Sequence, residues 1–211
     1  MKLAVLGSTG RTGKLVVQHA LDRGHHVKAL GRRAESITIA HPHLAIVQAD
    51  AHDTEAIDAA LTGCDAVVSA LGIGASRKPT TVYSDGARNV LTAMASHHID
   101  RLAVISASPA GERSDQPLLD RRVMMPILDL FFGTSYQDMR RMEALLSASD
   151  VNWISLRPPR LLDRPRTGAY RIQPDLPLPK ARQITFSDLA MALLDVLDRP
   201  ELYRHVCSVA N

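Results

Sequence analysis

KLAVLGSTGRTGKLVVQHALDRG, residues 2–24, passes from an apolar run through three glycines into a segment of helical periodicity. Residues 2–6 have the short, nearly continuous apolar character of a strand buried on both faces. Over 11–23, Leu15, Val16, His19 and Ala20 fall at helical spacing, and Gly24 ends the helix. Gly7, Gly10 and Gly13 lie between, at three-residue intervals. Strand, glycine turn and helix in immediate succession form the unit from which open parallel sheets are built.

The same alternation continues along the chain. Residues 26–30 (HVKAL), 44–48 (LAIVQ), 65–71 (DAVVSAL), 101–106 (RLAVIS) and 152–156 (NWISL) read as further strands. Helices are expected at 53–61, capped by Asp53 or Thr54, from Thr80 or Thr81 to residue 97, and at 136–148, which completes the regular pattern. Apolar strands separated by helices predict an α/β fold, a doubly wound parallel sheet covered on both faces. Right-handed crossovers leave few topologies. The chain has 211 residues, 45% hydrophobic and 22% charged, with no repeat, low-complexity tract or linker, so one domain over 1–211 is expected.

Two segments break the rhythm: 107–134, which contains the run MMPILDLFF, and the proline-rich 158–182. Both follow strands. Ligands in open α/β sheets bind beyond the carboxyl ends of the strands, so both segments are expected to wall a substrate pocket. The alternatives are surface loops packed on each other, or MMPILDLFF as a dimer face.

Composition excludes several classes. No apolar stretch approaches the roughly 20 residues of a membrane helix, and the N-terminus lacks the charged start and apolar core of a signal peptide. Cys64 and Cys207 suit a reducing cytoplasm with idle thiols. The net charge of +3 comes from scattered arginines, and aromatics make up only 4%, which argues against a nucleic-acid groove. A monomer or small homo-oligomer acting on a small molecule is expected.

The glycine turn has a chemical reading. Amides at a helix start lack intrahelical partners, and the dipole there favours negative charge. Gly7 permits the tight turn, Gly10 lets the backbone approach a pyrophosphate, and Gly13 lets the helix lie close to the strand. The hydroxyls of Ser8, Thr9 and Thr12 can add donors. The spacing is G-x-x-G-x-x-G, not the commoner G-x-G-x-x-G. At the end of the second strand an acid would hold a free ribose, whereas an arginine accommodates a 2′-phosphate. Here the chain reads Leu30-Gly31-Arg32-Arg33, with no acid before Glu35. Guanidinium forks match phosphate oxygens, so the expected cofactor is NADP(H). Asp50 could receive the adenine amine, and Ala70, Leu71 and Gly72 leave room for ribose.

These residues resemble the atypical short-chain dehydrogenase/reductase superfamily, with its Rossmann fold, and within it the biliverdin reductase B or flavin reductase branch. The resemblance is carried by GSTGRTG at 7–13, PTTVYSDGARNVLTAM at 79–94, RPP at 157–159 and TGAY at 167–170. It spans nearly the whole chain except 107–134. It implies an NADPH-dependent reductase that delivers hydride to a planar acceptor. Gly7, Thr9, Gly10, Arg11 and Thr12 would hold the pyrophosphate, and Arg32 the 2′-phosphate. Asp50 and Ala51 would flank the adenine. Leu71 and Gly72 would line the ribose side, and Pro158 and Pro159 the nicotinamide. Arg160 stands where the branch has a substrate-side histidine and would favour an anionic acceptor. The related NmrA-like proteins bind the same cofactor as non-catalytic sensors.

Classical members use a Tyr-x-x-x-Lys pair, with a serine that polarises the carbonyl. Tyr136 and Arg140 have that spacing. Counting back from Arg157-Pro158, however, the pair should fall at Ser135 and Met139, and arginine does not titrate. Ser106 and Ser108 offer hydroxyls near the nicotinamide. Hydride transfer to a flavin, quinone or tetrapyrrole needs no strong protein acid, so such acceptors are expected. The pairs His25-His26, His41-x-His43 and His97-His98 lack metal-site spacing and are read as loop residues.

Overall fold

The computed structural model describes residues 1–74, 78–111 and 125–211, with the side chains of 125–131 left out. Six parallel strands form its centre. They are β1 (Lys2–Leu6), β2 (His26–Gly31), β3 (Leu44–Gln48), β4 (Ala66–Ser69), β5 (Arg101–Ile105) and β6 (Asn152–Arg157), in the order β3-β2-β1-β4-β5-β6. The order reverses between β1 and β4, which is the switch point where such sheets open a crevice.

Helices cover both faces. Along β1, Leu3 and Val5 join one core cluster and Ala4 and Leu6 the other, as strand alternation requires. On the first face lie α1 (Arg11–Asp22) and α5 (Phe186–Asp195). On the second lie α2 (Thr54–Leu61), α3 (Val82–His97) and α4 (Met125–Ser147). Asp53 supplies the α2 cap, accepting from the Ala56 amide at 3.0 Å. At the α3 start Thr81 makes no side-chain cap, and the Thr80 hydroxyl reaches only the Val82 amide, at 3.2 Å. Asp138 of α4, fully buried, accepts instead from the amides of Tyr83 and Ser84 at 2.9 and 3.3 Å and from the Ser84 hydroxyl at 2.5 Å.

The regular pattern does not end at residue 156. β10 (His205–Ala210) pairs parallel with β6, and β8 (Arg171–Pro174) closes that edge antiparallel to β10. β7 (Arg160–Leu162) and β9 (Gln183–Thr185) make a separate parallel pair. The helix expected at 136–148 starts at Met125 instead. Residues 112–124 and the MMPILDLFF side chains up to residue 131 lie outside the described residues, and with them most of the expected pocket wall or dimer face.

Segment 158–182 divides. Its first residues turn toward the strand ends. Farther on, the Thr167 and Gly168 amides and the Thr167 hydroxyl wrap the buried Asp188 carboxylate. Thr185 and Asn211 complete that shell. Burial pushes the Asp188 carboxyl up, but these hydrogen bonds outweigh it and hold it below the usual carboxylate range. Among the described residues, no helix is long and apolar enough to cross a membrane. No group of three or more His, Cys, Asp and Glu among them could hold a metal ion. His26 and His43 stack at 4.2 Å, with His41 edge-on to His43.

Candidate functional site

A cleft of about 790 Å³ opens beyond the carboxyl ends of the strands, and the turn after β1 forms its floor. Gly7 has φ +73°, and a Cβ there would stand 2.4 Å from the Ala70 carbonyl oxygen. A Cβ on Gly13 would stand 2.1 Å from the Gly7 carbonyl oxygen. The turn thus presses against β4 and the first turn of α1 presses against it, contacts that only hydrogen side chains allow. Gly10 caps α1, and no side chain closes that helix start. Its first amides therefore face the cleft without an internal partner.

Gly7, Thr9, Gly10, Arg11 and Thr12 all line the cleft. Ser8 does not. Its hydroxyl donates to the Leu30 carbonyl at 2.7 Å and the residue is fully buried, so it ties the turn to β2 and is not free as a phosphate donor. Gly13 acts by packing, as its clash distance shows. Arg11 is solvent-rich, 3.6 Å from Asp163, and lies over the Phe186 ring at 5.5 Å.

Arg32 and Arg33 line the corner beyond β2, both exposed, and their guanidinium groups make no hydrogen bond or ion pair among the described residues. Asp50 and Ala51 line the next corner; Asp50 accepts from the His52 amide at 3.0 Å. Ala70, Leu71 and Gly72 follow at the end of β4. At the far end stand Ser106, Ala107, Pro158 and Pro159. A buried pair fixes this end: Glu143 accepts from Arg157 at 3.0 and 2.6 Å and from the Ser155 hydroxyl at 2.9 Å, holding the strand that delivers the prolines.

Ser106 and Ser108 part company. Ser106 is 2% exposed, lines the cleft, and its hydroxyl has no partner among the described residues. A buried orphan hydroxyl of this kind is rare without a ligand or water. Ser108 lies outside the lining and donates to the Arg157 carbonyl at 3.1 Å, a loop tie.

Tyr136 is also outside the lining. It packs in the core between α3 and α4, 6.1 Å from the Phe132 ring, while Arg140 donates to the Ala110 carbonyl at 3.1 Å. Ser135 is buried, and of these α4 residues Met139 alone faces the cleft. Arg160, expected beside the substrate, is exposed and outside the lining; Leu161, its neighbour on β7, lines the cleft, as strand alternation dictates.

Sequence reasoning missed Tyr83, Leu161 and Phe186. Tyr83 stood inside the resembling run at 79–94, and Phe186 lies within the T-x-x-D cap, Thr185 to Asp188, of a helix that was not expected. Together the glycine cradle, the open helix start and the orphan Ser106 fit an elongated, phosphate-bearing dinucleotide.

Known proteins are similar to this chain. YwnB of Bacillus subtilis is 26% identical over 208 residues, 95% of this chain and 94% of that protein. The oxidoreductase stcQ of Emericella nidulans is 27% identical, over 98% of this chain and 81% of its own length. A short-chain dehydrogenase/reductase from Veillonella parvula, solved in complex with NADP, superposes with a TM-score of 0.84 over all of this chain and 94% of that one. At 17% identity that likeness is one of fold. The NAD(P)H-binding family model matches residues 7–200. A match of that extent makes this chain a member of the NAD(P)H-binding family.

Proposed function

We propose that the protein is an NADPH-dependent reductase that delivers hydride to a planar redox acceptor of the flavin, quinone or tetrapyrrole type, as in the biliverdin reductase B branch. The observation that carries this reading is one continuous cleft. It runs from the exposed Arg32 and Arg33, past the glycine turn, to Ser106 and the Pro158–Pro159 wall. NADPH, when bound, supplies the hydride. The chain's own residues bind and orient.

Gly7, Thr9, Gly10, Arg11 and Thr12 hold the pyrophosphate through amides and hydroxyls. Arg32, with Arg33 beside it, takes the 2′-phosphate, and Asp50 and Ala51 the adenine. Leu71 and Gly72 flank ribose, and Pro158 and Pro159 limit the nicotinamide end. Ile73, Val82, Met139, Leu161 and Phe186 give the remaining wall an apolar character suited to a flat ring.

Another relative, YhfK of Bacillus subtilis, is named as a sugar epimerase. Proton chemistry at a sugar carbon calls for a titrating pair, and Met139 occupies the α4 position that faces this cleft. Two buried, free cysteines suit work in a reducing cytoplasm. Steady-state assays with NADPH and a panel of flavins, quinones and tetrapyrroles test the proposal. Turnover of at least one acceptor class is expected. Tight NADPH binding without turnover on any of them would instead make the protein a nucleotide sensor of the NmrA-like kind.

A further inference from the structure

A second pocket, of about 400 Å³, shares no lining residue with the cleft. The segment from Arg166 to Arg171 forms one wall, and Met191 and Asp195 of α5 form the other. Phe186, at the start of the same helix, lines the cleft, so α5 touches both spaces. Gly168 has φ +71° and turns the segment, which brings Arg166 and Arg171 to one pocket from either side of the bend.

The charges around this pocket do not balance. Asp195 is already taken: Arg23, at the end of α1, reaches it at 2.7 Å and does not itself line the pocket. The Tyr170 hydroxyl donates to the same carboxylate. Burial and that carboxylate push the phenol well above its ordinary value, so it keeps its proton for this bond. Arg171 donates to two main-chain carbonyls, Pro179 at 3.1 Å and Asn211 at 3.4 Å, which hold the guanidinium in place and leave its charge uncompensated. The Arg166 guanidinium makes no hydrogen bond or ion pair among the described residues. Two cations without a counter-charge therefore face one recess, and the potential of such a recess gathers anions. The remaining lining includes Ala169, Met191 and the Tyr170 ring, so the space between the charges has apolar walls. Its volume lies in the range of small-molecule sites and exceeds what a bare inorganic ion fills.

We propose that this pocket is a second ligand site, which takes a small organic carboxylate with an apolar body. The guanidinium forks match the carboxylate, and Met191, Ala169 and Tyr170 cover the body. The proposal is independent of the reductase reading.

The test is a ¹⁹F NMR titration of the full chain saturated with NADP⁺, so that the cleft is filled. The probes are 4-fluorobenzoate and 4-fluorobenzamide, a ring of the same shape without the charge, with inorganic phosphate as an anion without an apolar body. Saturable binding of 4-fluorobenzoate is expected, with the amide and phosphate weaker by about tenfold or more. Arg166→Gln should weaken 4-fluorobenzoate by about tenfold and leave NADP⁺ affinity within about twofold. Arg166 is exposed and bonds to nothing that the fold needs, so this variant keeps the fold; Arg171→Gln gives a second, independent variant with the same expected loss. No saturable binding of 4-fluorobenzoate would overturn the proposal. So would its displacement by NADP⁺, which would place it in the cleft, or an affinity unchanged in both variants. Equal binding of the amide would remove the charge reading, and equal binding of phosphate would remove the apolar body; either result overturns the ligand class.

Discussion

Arg32 carries a choice between two cofactors that differ by one phosphate. It is exposed, lines the cleft and has no partner among the described residues. Arg32→Glu replaces a charge-assisted contact with repulsion, worth a few kcal/mol in such sites. NADPH affinity should fall by about 100-fold or more while NADH changes only a few-fold, as measured by titration of both. Equal effects would move the assignment to Arg33. Tyr136 makes the opposite case. It has the right residue type but packs in the α3–α4 core, so Tyr136→Phe should cost less than about tenfold in kcat. A proton donor would typically contribute 10²–10⁴-fold. Residue types and spacing were readable from the chain, and most of the expected cofactor residues do line the cleft. What a spacing cannot reveal is which neighbour claims a hydroxyl. Ser8 is taken by Leu30 and Ser108 by Arg157, partners 22 and 49 positions away.

At the scale of elements, periodicity was decisive where it was strong. β1 and β3 have the expected limits, and α1 and α2 fall within one residue of theirs. It failed over 158–211, where β7, β8 and β9 run only three or four residues and proline interrupts 158–182. There Asp188 does the organising. It joins the start of α5 to the TGAY segment and to Asn211, a long-range pattern that no local window contains. Asp188→Ala should cost about 3 kcal/mol in urea unfolding, since several buried donors lose one charged acceptor. The pH dependence has a definite sign. A carboxyl held below its unfolded value adds stability above roughly pH 4, and that stability is lost as the pH falls through the folded value. Native protein should therefore lose stability on acidification below about pH 4, and the Asp188→Ala variant should show less of that loss.

In the whole molecule the main sheet is doubly wound, with an antiparallel closing strand and the small β7–β9 pair beside it, and the two thiols report on its opening. Cys207, fully buried in β10 between β6 and β8, is pushed up to about 12 by burial, and burial also raises Cys64. Thiolate is the reactive form. Neither cysteine should react with a disulfide reagent at pH 8 in the native protein, and both should react once denaturant opens the fold. Fast native labelling of Cys207 would show that the β8–β10 edge opens separately from the rest.

The glycine cradle has a consequence for how this chain can change over generations. The atoms that would collide with a side chain at Gly7 or Gly13 belong to the main chain: Ala70 O, Leu71 N, Gly7 O and the Ser8 Cα. Every amino acid places those atoms alike, so no replacement of a neighbouring residue can make room. In a genetic selection, alanine at either position should yield same-site revertants to glycine, and second-site suppressors should be missing from residues 7, 8, 70 and 71 that form the contact. The floor of the cleft is thus fixed by geometry, whereas its apolar wall, built from side chains, is free to diverge.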